Sequence, residues 1–190
     1  MNCMQVTSCF VGTIYYQRSE SKINEKHPIH YIMRLTAELI AASEQRTNPL
    51  GEREIILRGL AIPVLEHLGG TRDAFDAIDL TDNRISRLEN FPRLLRLFSL
   101  STSGNVIESI DSRNLSKNLP NLKYLDISYN QISTLSEISS LGMAYSASKS
   151  SGNDDNESKG NLEVLSLVGN PVQSKLFLTG AVRSLYLPGF

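Results

Sequence analysis

The chain has 190 residues, of which 41% are apolar, with a formal net charge of −1 and two cysteines. This composition predicts one domain around a single core, without a disulfide framework and without a global attraction for polyanions. No apolar run approaches the roughly 18 residues of a membrane span, so we expect no membrane partner.

The first 32 residues share no pattern with the rest of the chain, and we predict that residues 1–32 form a disordered extension. Cys3, Cys9, His27 and His30 suggest zinc at first sight. Their C-x5-C and H-x2-H spacings fall outside the usual ligand windows. We therefore predict no metal site and no other cofactor.

A short helix should open the folded part. Thr36 is a suitable N-cap and Glu38 falls in the first turn, where a negative charge is favoured. Leu35, Leu39 and Ile40 form an apolar stripe. This helix is expected to cover the open end of the remaining fold.

Four copies of the pattern L-x-x-L-x-L-x-x-N-x-[IV] come next, preceded by an incomplete copy in which Leu60 occupies the asparagine position. The other asparagine positions are Asn83, Asn105, Asn130 and Asn170. Counted from Leu60, positions 60, 83, 105 and 130 are 23, 22 and 25 residues apart. These intervals match the period of leucine-rich repeats.

The alternating leucines predict one short strand per repeat, with apolar side chains on one face. Each asparagine follows its strand, so we expect the four side chains to form a ladder that bonds backbone groups at the turns. The fold class is therefore an α/β leucine-rich repeat solenoid with a short parallel concave sheet and an N-terminal helical cap. About five repeats fill residues 33–190.

The interval from Asn130 to Asn170 is 40 residues, long enough for an insertion. Residues 142–160 are rich in serine, glycine, asparagine and charge, which predicts a disordered loop, with a phosphorylated serine tract as the alternative.

The side chains that alternate with the buried ones should line the concave face. The candidates for partner contact there are Glu54, Ile56, Arg58, Asp79, Thr81, Ser99, Ser101, Tyr124, Asp126 and Ser128. Small hydroxyl residues flanked by acidic ones favour an amphipathic helix with basic residues. The alternative is that these positions are simply solvated.

No catalytic constellation accompanies these features. The three histidines stand apart from any nucleophile and carboxylate pair, and there is no glycine-rich phosphate loop. Asp79 and Asp126 occupy equivalent outward positions two repeats apart and are interpreted as acidic elements of one binding surface. We expect neither an enzyme nor a small-molecule substrate.

Four segments carry a resemblance to a known family. They are MRLTAELI from Met33, EREIILRGLAIPVLEHLG from Glu52, FDAIDLTDNRISRLENFPRLLRL from Phe75 and GNPV from Gly169. They resemble the U2 small nuclear ribonucleoprotein A′ family of the spliceosome. The resemblance covers about three quarters of the chain, and the irregular RGLAIPVLEHLG segment is more specific than a repeat match.

This resemblance implies a nuclear, non-enzymatic role in pre-mRNA splicing. The concave face would bind an RNA-recognition-motif protein of the B-double-prime type, and U2 snRNA would be bound mainly through that partner. The concave positions Arg58, Asp79, Thr81, Tyr124 and Asp126 would then contact the partner.

Peripheral basic residues such as Arg84 and Arg87 would help to contact the RNA. The alternative is a leucine-rich adaptor of a dynein or protein phosphatase complex, which would share the fold and lack the RNA link. The chain departs from the family at residues 1–32, in the insertion and at the C-terminus. The last departure implies an incomplete C-terminal cap after Asn170.

Overall fold

The computed structural model describes residues 33–49, 51–147 and 162–174. The predicted N-terminal extension, residues 148–160 of the predicted insertion and most of the predicted C-terminal cap lie outside these ranges. Within them, no helix is long and apolar enough to cross a membrane.

The first described element is helix α1 (Ala37–Ala42), capped as the sequence predicts. The Thr36 hydroxyl oxygen accepts a hydrogen bond from the Leu39 backbone N–H at 3.2 Å. The pKa of Glu38 is lowered by a hydrogen bond from its own backbone N–H and by one from Thr36. Ile40 is buried in the core, so α1 forms the expected N-terminal cap.

Two antiparallel strands follow, β1 (Glu44–Thr47) and β2 (Arg53–Ile56). Asn48 closes the turn between them, because its side-chain oxygen accepts from the Glu52 N–H at 3.0 Å and its carbonyl accepts from the Gly51 N–H at 2.9 Å. Strand β1 was not predicted. All four of its side chains are exposed, so its sequence has no apolar alternation to indicate a strand.

The remaining elements run in repeat order. They are a 3₁₀ helix (Leu68–Thr71), β3 (Ala77–Asp79), β4 (Arg87–Leu88), β5 (Ser99–Ser101), β6 (Ser109–Ile110), α2 (Ser112–Asn118), β7 (Tyr124–Asp126), α3 (Leu135–Ala147) and β8 (Val164–Ser166). Six strands form one sheet in the order β1-β2-β3-β5-β7-β8, parallel except for β1. Strands β4 and β6 pair in a second, two-stranded sheet.

The core lies on one face of the six-stranded sheet. The central residues of four neighbouring strands, Ile55, Ile78, Leu100 and Leu125, are in register and at most 2% exposed. Their sequence neighbours point to the opposite face, as strand geometry requires. The predicted leucine-rich repeat fold with a short, mainly parallel sheet is therefore confirmed.

Helix α3 corrects the predicted boundary of the insertion. The helix continues to Ala147, so residues 142–147 are helical and do not belong to a disordered loop. Leu141 and Tyr145 are four residues apart and both buried, which places them on one helix face. The Tyr145 hydroxyl donates to the Leu119 carbonyl at 3.3 Å, and burial raises its pKa. These two anchored side chains thus hold the last turns of the helix against the core.

Candidate functional site: the open face of the sheet

The asparagine ladder fixes the carboxyl ends of the strands. Asn130 shows the arrangement: its side-chain N–H groups donate to the carbonyls of Thr102 and Ile127 at 2.9 and 3.0 Å, and its side-chain oxygen accepts from the Ile107 N–H at 2.9 Å. Each bond to Thr102 or Ile107 crosses to the preceding repeat. Equivalent bonds are made by the other three asparagines, Asn83, Asn105 and Asn170.

The face of the six-stranded sheet opposite the core is called the open face; it corresponds to the predicted concave surface. Three rows of side chains cross it from β2 to β8. The first row is Glu54, Ala77, Ser99, Tyr124 and Val164; the second is Ile56, Asp79, Ser101, Asp126 and Ser166; the third, two residues further along each repeat, is Arg58, Thr81, Ser103, Ser128 and Val168. All ten predicted contact residues therefore belong to these rows.

Asp79 and Asp126 are equivalent in the sequence pattern and differ in the structure. Asp79 is 4% exposed, and its carboxylate is already used. Oδ2 accepts from Arg58 Nε at 3.1 Å and forms an ion pair with Nη2 at 2.9 Å, while Oδ1 accepts from the Thr81 N–H at 2.9 Å. Arg58 of the preceding repeat thus neutralises Asp79 within the chain, and the predicted partner contact of Asp79 stays a prediction.

Asp126 lies in the same row but is half-buried. Its Oδ1 accepts from the Ser128 N–H at 2.9 Å, as Asp79 does from Thr81. Among the described residues no side chain bonds its Oδ2 and no cation pairs with it. One oxygen of this carboxylate is therefore open to a partner.

A second internal ion pair closes the N-terminal edge of the open face. Arg46 of β1 lies opposite Glu54 of β2, and its Nε donates to Glu54 Oε2 at 2.8 Å. This hydrogen bond and the nearby negative charge raise the pKa of Arg46. The Arg46 side chain is 54% exposed, so the pair is screened by solvent. Glu54 and Arg58 are thus both engaged within the chain.

Hydroxyl pairs occupy much of the remaining face. Thr81 Oγ1 lies 3.1 Å from Ser101 Oγ, and Ser128 Oγ lies 2.6 Å from Ser166 Oγ. Ser128 is buried, which leaves its hydroxyl little contact with solvent. Together with Ser99, these side chains make the middle of the face small and polar.

Tyr124 is the large apolar group of the first row. Its ring packs edge-on against Phe98, with centroids 6.4 Å apart and planes at 70°, a favoured aromatic geometry. Even so, 42% of Tyr124 remains exposed. The ring therefore has a fixed position and a free surface, as an interface anchor requires.

Tyr129 was missed as a surface feature of the same repeat. It precedes Asn130 and has a φ of 53°. Three of the four equivalent positions, 59, 104 and 169, hold glycine, and the fourth holds Asp82 with a φ of 56°. Its ring covers Gly169: a Cβ on that glycine would lie 2.5 Å from Tyr129 Cδ1. Tyr129 is 64% exposed. A bulky residue at a glycine position was the signal that could have identified it.

Arg84 and Arg87 are not brought onto the open face. Arg87 belongs to β4, where its Nε donates to Ser109 Oγ at 3.3 Å and lies 3.6 Å from Glu89 Oε2. A polar groove runs beside it, lined by Ser86, Arg87, Glu108, Ser109, Gln131 and Ser133. Arg84 is half-buried, and its backbone N–H donates to the Ile62 carbonyl at 2.9 Å. Their predicted RNA contact stays a prediction.

Within the described ranges, no three histidine, cysteine, aspartate or glutamate side chains come together as metal ligands would. Cys3, Cys9, His27 and His30 lie outside those ranges. The chemistry available on the open face is hydrogen bonding, one open carboxylate and aromatic contact.

Comparison with known proteins assigns this architecture to a family. The leucine-rich repeat family model matches residues 32–178. A solved structure, the crystal structure of the Drosophila melanogaster SNF/U2A′ complex, is 35% identical over 82% of both chains, with a TM-score of 0.66. The chain belongs to the U2 small nuclear ribonucleoprotein A′ family of leucine-rich repeat proteins. The predicted family resemblance is confirmed.

Two relatives show the extent of the match. The U2 small nuclear ribonucleoprotein A′ of Mycosarcoma maydis is 50% identical over 106 residues, which is 56% of this chain and 43% of that protein. The human protein of the same name is 39% identical over 144 residues, or 76% and 50%. The chain thus spans about half the length of these curated relatives. Both are named as ribonucleoprotein components, not as dynein or phosphatase adaptors.

Proposed function

We propose that the chain is a non-enzymatic component of the spliceosomal U2 snRNP and acts in pre-mRNA splicing in the nucleus. Its open face binds an RNA-recognition-motif protein of the B-double-prime type, and the U2 snRNA stem-loop is bound mainly through that partner. Family membership supports this role. The solved relative supports a protein partner, because it is a complex of U2A′ with a second protein, SNF.

The distribution of side-chain sizes on the open face is the observation that best supports a protein contact there. Between the larger Ile56 of β2 and Tyr124 of β7, the two central strands present the small side chains Ala77, Ser99 and Ser101 and the internally paired Asp79. We call this region the trough. Neighbouring strands are about 4.8 Å apart, so β2 and β7 are separated by about 14 Å. An α-helix is about 10–12 Å across with its side chains. The backbone separation of the two flanking strands is therefore comparable to the width of one helix.

The charge of the trough agrees with a helix that carries a basic residue. Arg46 and Arg58 are neutralised by Glu54 and Asp79, which leaves the Asp126 carboxylate as the unpaired charge among the row residues. Hydroxyl groups supply the other polar contacts. Such a surface favours an amphipathic helix and does not favour bare phosphate.

The test is a calorimetric titration of the full chain with the recombinant B-double-prime-type protein of the same organism. Ser99→Trp fills the trough, and Leu95→Trp places the same ring at an exposed site in the connection between β4 and β5. We expect Ser99→Trp to lower the affinity at least tenfold and Leu95→Trp to leave it unchanged. Circular dichroism of both variants checks their folding.

The RNA link needs a second titration, in which the U2 snRNA stem-loop is added to each protein and to the mixture. The proposal expects tighter RNA binding by the pair than by the partner, and weak binding by the chain alone. An unaltered affinity of folded Ser99→Trp for the partner would contradict the use of the open face. No binding of the wild-type chain to the partner would contradict the proposed function itself.

A further inference from the structure

Side-chain hydrogen bonds link neighbouring strands across the open face along one diagonal line. In each case a third-row residue reaches the second-row residue of the next strand in the sheet. Arg58 bonds Asp79 between β2 and β3, and Thr81 lies 3.1 Å from Ser101 between β3 and β5. Ser128 lies 2.6 Å from Ser166 between β7 and β8, which extends the same line.

The line is interrupted at one of its four positions. Between β5 and β7 the corresponding residues are Ser103 and Asp126, and no bond joins their side chains. In the described part of the chain, the Ser103 hydroxyl and Asp126 Oδ2 have no hydrogen-bond partner. Both groups are half-buried.

The backbone does not explain the interruption. Beyond the strands, the ladder between these two repeats continues with the Thr102 N–H to the Asp126 carbonyl at 2.7 Å and the Gly104 N–H to the Ser128 carbonyl at 3.0 Å. The neighbouring repeats make the same two bonds at similar lengths. The repeats are therefore similarly close at all four positions, and the missing bond is a property of the side chains.

We propose that Ser103 and Asp126 form the docking point for a basic side chain of the partner helix. This inference rests on the proposed function and narrows it to one point on the open face. A guanidinium or ammonium group placed there would donate to Asp126 Oδ2 and to the Ser103 oxygen, and so complete the diagonal line. The group would occupy the same position relative to Asp126 that the Arg58 guanidinium occupies relative to Asp79, two repeats earlier.

The surroundings suit a positive group on an otherwise apolar helix face. Tyr124 precedes Asp126 by two residues on the same strand, so its exposed ring lies on the same face. Partial burial makes the open carboxylate oxygen more attractive to a cation than a fully solvated one would be. A hydrogen bond between charged groups at such a site is worth about tenfold or more in affinity.

Calorimetric titration with the B-double-prime-type protein tests this with two matched variants of the full chain. Asp126→Asn keeps the size of the side chain and the acceptor for the Ser128 N–H while it removes the charge. Asp79→Asn makes the same change at the internally paired carboxylate. We expect Asp126→Asn to lower the affinity about tenfold or more, and Asp79→Asn to lower it by less than threefold.

Controls separate this inference from the proposed function. Val64→Ala changes an exposed side chain outside the sheet and should leave the affinity unchanged, and it serves as the neutral reference if Asp79→Asn fails to fold. Equal losses for Asp126→Asn and Asp79→Asn would indicate a general charge effect and overturn the docking point. Wild-type affinity for Asp126→Asn, together with loss of binding for Ser99→Trp, would also overturn the docking point and would leave the open face as the interface.

Discussion

The two halves of the open face share one backbone arrangement but differ in whether their carboxylates are paired within the chain. In the N-terminal half, Glu54 and Asp79 are each paired with an arginine of the same chain. In the C-terminal half, Asp126 keeps an open oxygen and Tyr124 keeps an exposed ring. Position in a repeat therefore decides where a side chain points, whereas the neighbouring repeat decides whether it is free to bind.

The largest expected effect is on stability and concerns the third row. Arg58→Ala leaves the buried Asp79 carboxylate without its cation, which should lower the free energy of unfolding by about 1–3 kcal/mol. Ser103→Ala, the same position two repeats later, should change it by less than about 0.5 kcal/mol. Urea denaturation of both variants measures the difference. Equal losses would mean that the halves do not differ in internal pairing.

The internal ion pair of the N-terminal half can be copied into the C-terminal half by one substitution. Ser103→Arg places a cation beside Asp126, where it should pair with the open oxygen and block the docking point. We expect about a tenfold loss of affinity for the B-double-prime-type protein, measured by calorimetry. The free energy of unfolding should change by less than about 1 kcal/mol, because such a pair is partly exposed. Undiminished binding would show that the open carboxylate is not used.

Tyr124→Ala tests the aromatic contribution of the C-terminal half. Loss of a partly exposed ring at an interface should weaken binding about threefold to tenfold, which corresponds to about 0.7–1.4 kcal/mol. Val64→Ala, at an exposed apolar residue outside the sheet, provides the control. Surface plasmon resonance of both variants is suitable. If the Tyr124→Ala chain binds as tightly as the control, the ring is not part of the interface.

The smallest expected effect is the salt dependence. A docking point built on one charge predicts that the wild-type affinity falls a few-fold between about 0.1 and 0.5 M salt, because added ions screen partly exposed pairs. Asp126→Asn should show a flatter dependence. Parallel slopes for the two proteins would argue that charges elsewhere attract the partner.

Sequence spacing predicts most of this fold because the repeat pattern and the structure are linked residue by residue. The buried leucines specify the core face, and the four asparagines of the ladder specify the turns. Strand β1 escaped prediction because its Glu44–Thr47 side chains are all exposed. The end of α3 was misplaced because glycine and serine suggested a loop, whereas Leu141 and Tyr145 anchor the helix.

The open face was only partly predictable. Alternation assigns Asp79 and Asp126 to one row, and nothing local separates them. The difference comes from the third-row residue of the preceding repeat, which is Arg58 for Asp79 and Ser103 for Asp126. These pairs are 21 and 23 residues apart in the chain, so the difference becomes visible only once the repeats are stacked.

Site-specific photo-crosslinking shows directly whether the open face binds the partner. A photoreactive phenylalanine analogue replaces Ser99 in one chain and Leu95, outside the sheet, in another, and each chain is irradiated with the B-double-prime-type protein. We expect a crosslinked complex from position 99 and none from position 95. Crosslinking from position 95 with none from position 99 would contradict it.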